Sequence, residues 1–167
     1  MIQSRIGYKA VRIQKGGLFS FLSSPNAVQY LRSEPVRTEN GTPLMAFDTI
    51  EVTREFCLNN FHWISETNSI HRAVLIFEAS YFPYQDRRDK DLREMLNLLG
   101  IHKPPKIVQK FWEEGAPGIK GHFLGSKPLL KGTVLAQDIT LLRPLELVRD
   151  HGIRDWNEEE HRYLLER

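Results

Sequence analysis

The chain opens with strand-like stretches separated by polar turns. Residues Ile6 to Ile13 (IGYKAVRI) are rich in strand formers, and Lys15-Gly16-Gly17 supplies a turn, because glycine tolerates positive φ. Leu18 to Leu22 returns as a second strand, so the two predict an N-terminal hairpin. Pro25-Asn26 breaks it. Ala27 to Arg32 (AVQYLR) predicts a third strand, and Ser33 to Thr42, with Pro35, Asn40 and Gly41, predicts a polar loop. Pro43 to Asn60 (PLMAFDTIEVTREFCLNN) then predicts a short buried strand, a capped turn and an amphipathic helix. Asp48 has N-cap chemistry, Glu51 three residues on completes a capping box, and Phe47 and Val52 have hydrophobic-staple spacing.

His71 to Phe82 (HRAVLIFEASYF) is the strongest strand signal, apolar on both faces from Ala73 to Phe77, as in a central, covered strand. Leu92, Met95, Leu96 and Leu99 follow helical spacing up to Gly100, a Schellman-type stop, with the helix start placed within Asp86–Asp91. Pro105 offers an N1 proline for a helix to Glu114 that carries Ile107, Val108, Phe111 and Trp112 on one side. A glycine-punctuated loop follows from Ala116 to Lys131, then a strand or strand pair from Gly132 to Leu142. Asn157 with Glu160 forms a second capping box before a C-terminal helix. Strands and helices mix without regular βαβ alternation. The expected fold is therefore α+β: a single domain over 1–148, mostly antiparallel sheet with three to four helices packed on it, and a helical extension over 149–167.

Composition narrows the functional classes. At 167 residues the chain is long enough for one self-sufficient core. With 23 basic and 21 acidic side chains the net charge is +2, too near neutral for the whole surface to attract nucleic acid, so any electrostatic function depends on uneven distribution. The single cysteine, Cys57, excludes an intrachain disulfide. No run approaches the ~18–20 apolar residues of a membrane span. A soluble cytoplasmic protein with no membrane partner is expected.

Most chemical signatures are missing. No histidine pair has H-x-x-x-H spacing and one cysteine cannot supply a zinc-thiolate site, so no metal is expected. The segment Gly121 to Lys127 has glycine and lysine in the wrong order for a phosphate loop. Ser20, Ser23 and Ser24 lack a G-x-S-x-G setting, and Cys57 beside Phe56 reads as a small buried hydrophobe. Two positive regions remain. Lys103, Lys106, Lys110, Lys120, Lys127 and Lys131 face only Glu113 and Glu114, with His102, His122, Trp112 and Phe123 interleaved; cations with aromatics in a glycine-rich loop suit a phosphate backbone or nucleotide. Arg5, Lys9, Arg12, Lys15, Arg32 and Arg37 face only Glu34 and Glu39. Glu78 is an acid inside an apolar strand, where burial would suit it to general acid or base chemistry and an arginine partner or a rim position would not.

The segments YKAVRI, GGLFSF, VQYLRSE, LMAFDTIEVTREF and GTVLAQDITLLRPLEL resemble a pattern in small uncharacterised α+β proteins of bacteria and their viruses; the similarity implies a shared core and no particular activity. A second resemblance lies in element order. An arginine on a first strand, a serine on a second, the strand–helix LMAFDTIEVTREF and a later strand glutamate are similar to the succession in ADP-ribosyltransferases. That likeness implies Arg12 as an NAD-contacting arginine, Ser20 as the serine and Glu78 as the catalytic glutamate, with NAD as cofactor. The chain departs from it by lacking an S-T-S motif at the usual distance and a Glu/Gln partner near Glu78.

The leading expectation is a non-catalytic binding protein, needing no cofactor, that recognises an anionic ligand: a nucleotide, a nucleic-acid backbone or an acidic protein surface. Its contact residues would be Lys103, Lys106, Lys110, Lys120, His122 and Lys127. The alternatives are the NAD-dependent transferase built on Glu78, and a protein-directed inhibitor or adaptor using an apolar patch around Phe111, Trp112, Ile119 and Phe123. Each admits a homo-oligomer.

Overall fold

Antiparallel pairing dominates the computed structural model, which describes residues 3–14, 17–20, 28–38, 43–61, 73–85, 90, 92–93, 130–150 and 152–165. Eight strands form one sheet: β1 (Arg5–Gln14), β2 (Gly17–Ser20), β3 (Gln29–Tyr30), β4 (Pro35–Val36), β5 (Leu44–Phe47), β6 (Val74–Pro83), β7 (Thr133–Arg149) and β8 (Gly152–Asp155). Among the described residues, the helices seen whole are α1 (Ile50–Asn60) and the four-residue α2 (Glu158–His161), which runs into a 3-10 turn over Arg162–Leu164.

The expected α+β arrangement with three to four packed helices is corrected. Of the described residues, 56% are strand and 23% helix, with only two short α-helices. One cause is β7, which continues seven residues past the predicted stop at Leu142, through Pro144 to Arg149. The β6–β7 register skips Leu142 and Leu145, so Pro144 lies between two bulges where the ladder is already interrupted. The helix predicted to end at Gly100 is represented by Lys90, Leu92 and Arg93, which are helical; its remainder and the helix from Pro105 lie outside the described residues.

The sheet closes on itself. β6 pairs with both β1 and β7, and β5 also pairs with both. Side chains alternate across a strand, so such a closed ladder has an enclosed face. That face carries Val11, Leu18, Tyr30, Leu44, Leu75, Phe77, Ile139 and Leu141 in one buried cluster. The opposite face carries Ala10, Val74, Ile76 and Val148, covered by Phe56 and Cys57 of α1.

Helix α1 begins one residue later than predicted. Thr49 is the N-cap, its hydroxyl accepting from the Val52 N–H at 3.2 Å. Asp48 is used by the neighbouring turn: its N–H donates to the Gly132 carbonyl at 2.9 Å. Gly132 has φ +102°, and a Cβ there would overlap the Asp48 carboxylate and lie 3.1 Å from Val52. Gly132→Ala is therefore expected to destabilise the protein by about 2 kcal/mol, read as a lower urea midpoint.

The C-terminal cap forms as predicted, the Glu160 N–H donating to Asn157 Oδ1 at 3.0 Å. The returning bond comes from the next residue along: the Asn157 N–H donates to His161 Nδ1 at 3.0 Å. The segment from 149 onward is tied to the sheet, because β8 pairs with β7 and Leu164 joins the enclosed cluster.

Candidate functional site

Two polar side chains lie within the enclosed apolar face. Lys9 stands opposite Phe77 in the β1–β6 register and is 6% exposed; Tyr30, on β3, is 2% exposed. The Lys9 ammonium donates to the Met45 carbonyl of β5 at 2.6 Å and lies 5.4 Å from the centre of the Tyr30 ring. It has no carboxylate partner among the described residues. Burial disfavours its charged form and holds its pKa down to about 8, from 10.5. The Tyr30 hydroxyl is buried without a hydrogen-bond partner, and burial raises its pKa. Beside them the Arg32 guanidinium lies 5.9 Å from the centre of the Phe77 ring.

The acids of β6 and β7 are all committed elsewhere. Glu146 accepts two bonds from Arg54 of α1, at 2.7 and 2.6 Å. Asp138 pairs with Arg37 at 3.3 Å. Glu78 faces Arg143 directly across the β6–β7 ladder, with contacts of 3.3 and 3.5 Å. Positive charge at the Lys9–Tyr30–Phe77 region is thus left without a local carboxylate among the described residues.

The residues singled out from sequence do not gather at one point. Arg12 Nε donates to the Ser20 backbone carbonyl at 3.0 Å, and Arg12 also bonds Gln14 and lies 5.5 Å from the Phe19 ring centre. The Ser20 hydroxyl accepts from the Val28 N–H at 3.0 Å, shaping the β2–β3 connection. Glu78 sits opposite Tyr8 and Arg12 opposite Val74, four ladder positions apart, or about 13 Å along the strands. Arg12 and Ser20 are neighbours; Glu78 is remote from both. Lys103, Lys106, Lys110, Lys120, His122 and Lys127 lie outside the described residues, as do Phe111, Trp112, Ile119 and Phe123.

In the sequence Lys9 and Arg32 stand out only as members of a basic N-terminal region, and nothing marks Tyr30. The available signal was the alternation in β1, which places Lys9 on the face of Val11 and Ile13. Cys57 is buried and forms no disulfide, its thiol pKa raised first by burial and then by Glu146.

No group of three or more His, Cys, Asp or Glu residues able to hold a metal occurs among the described residues. No described helix is long and apolar enough to cross a membrane. Comparisons with protein-family models, curated proteins and solved structures gave no match.

Proposed function

We propose that the protein is a non-catalytic binding protein for an anionic partner, acting in the cytoplasm. The observation that carries this reading is the imbalance of charge: the three acids of β6 and β7 each have an arginine, whereas Lys9 and Arg32 rest on aromatic rings without a described carboxylate. A buried or ring-stacked cation lacking a counter-charge favours any ligand that brings one. In this reading Arg32, which is exposed, meets the partner first, and Lys103, Lys106, Lys110, Lys120, His122 and Lys127 supply further positive contacts.

Fluorescence anisotropy with three probes tests it: labelled ADP, a single-stranded oligonucleotide and a polyglutamate peptide. At least one probe should bind, and its affinity should fall about tenfold or more between roughly 50 and 200 mM salt. Arg32→Ala should weaken that binding about three- to tenfold. Binding by no probe, or binding indifferent to salt, overturns the proposal.

A further inference from the structure

We propose that the enclosed face of the sheet contains a binding site for a small monocarboxylate, held between the Lys9 ammonium and the Tyr30 hydroxyl. The inference deepens the anion-binding reading and rests on it. Its basis is a count of donors. An ammonium has three N–H donors and no acceptor; Lys9 uses one on the Met45 carbonyl. The Tyr30 hydroxyl has no partner. Both groups are more than nine-tenths buried, and neither is matched to a described carboxylate. The interior therefore has unmatched donors and a positive charge, and what it lacks is an acceptor carrying negative charge.

A carboxylate supplies both through acceptor-only oxygens. A water molecule provides lone pairs but leaves the ammonium uncompensated. A phosphate dianion brings more charge than one ammonium balances. The surroundings, Leu18, Leu44, Leu75 and Phe77, are apolar and suit a short alkyl group on the acid.

Entry is at β3. It is two residues long and paired with β2 at two positions; beyond it the chain reaches β7 through the Arg32–Leu141 bridge, the Ser33 N–H to Leu141 carbonyl bond and the two-residue β4. A wall with so few backbone bonds opens at lower cost than β1 or β6.

The test uses the full chain at pH 7, with thermal melts and calorimetric titration against sodium acetate, and sodium chloride and sodium phosphate at matched ionic strength as controls. Acetate should raise the melting temperature more than either control. Tyr30→Phe should fold, with an unliganded melting temperature no lower than that of the wild type, because it removes an orphaned hydroxyl. It should also weaken acetate binding about fivefold or more, and Lys9→Met should abolish it. An equal response to acetate and chloride, or an unchanged acetate affinity in Tyr30→Phe, overturns the site. If oligonucleotide or ADP binding stays salt-dependent in that case, the interior site has failed while the broader anion-binding reading stands.

Discussion

Replacing Lys9 with methionine is expected to stabilise the unliganded protein at pH 7 by about 1–3 kcal/mol in denaturant titrations. Burial lowers the Lys9 pKa from 10.5 to about 8, so at pH 7 the folded state still carries the charge in an unfavourable setting. That difference corresponds to roughly 3 kcal/mol. Methionine fills a similar volume without charge; losing the Met45 bond and the Tyr30 ring contact offsets part of the gain.

The effect should depend on pH in a defined direction. Between about 8 and 10.5 the unfolded chain keeps the Lys9 proton and the folded protein has released it, so Lys9 contributes stability that grows with pH across that window. Two other buried groups act oppositely. Burial raises the folded pKa of Cys57 above its ordinary 9.0 and that of Tyr30 above 10.0, so both favour the folded state less as pH passes those values. Wild-type stability should therefore rise above pH 8 and flatten beyond about 9. The advantage of Lys9→Met should shrink from about pH 8 to 10.5: the Tyr30 contribution is common to both proteins, while Cys57, which loses the pKa-lowering charge of Lys9, reduces the variant's stability further at the alkaline end. A constant advantage across that range would show that Lys9 is not the titrating group.

Arg54→Met should cost about 2–4 kcal/mol. Glu146 is 6% exposed and relies on the two Arg54 bonds that clamp α1 to β7. Removing the guanidinium leaves a buried carboxylate without compensation, a change that commonly costs ~3–5 kcal/mol. The lower figure applies here because the Arg54 side chain is 39% exposed, so water reaches the vacated position. Replacing both partners, Arg54→Met with Glu146→Leu, should recover at least half the loss, since no charge is then stranded. A single-variant cost below about 0.5 kcal/mol would mean that Glu146 is well hydrated without its partner.

The N-terminal hairpin was legible because its turn glycines and its strand formers agree, and the ladder indeed runs from Val11–Ser20 to Gln14–Gly17. The apolar run Ala73–Phe77 likewise became a fully buried stretch paired on both sides. Asn157 announced its cap correctly, whereas Asp48 misled by one position because Thr49 has the same capping chemistry. Pro144 concealed the second half of β7: a proline argues against a central strand unless bulges accommodate it, and bulges leave little trace in sequence. The Lys9–Tyr30 pairing was illegible for a different reason. Alternation assigns Lys9 to a face, but only closure of the ladder, a product of distant pairings, turns that face inward. Glu78 looked anomalous in a list of apolar neighbours because its arginine, Arg143, lies 65 positions away.

The reach of β7 has a consequence for biosynthesis. This one strand is partner to β4, β5, β6 and β8, and it is made after three of them. A ribosome working at ~5–20 residues per second leaves the nascent β5 and β6 waiting several seconds for their hydrogen-bonding neighbour. During that interval their open edges are available to any other extended polypeptide. Translation arrested before Thr133 would yield a product that no later contact can rescue, so ribosome pausing upstream of that codon bears directly on how much folded protein a cell obtains.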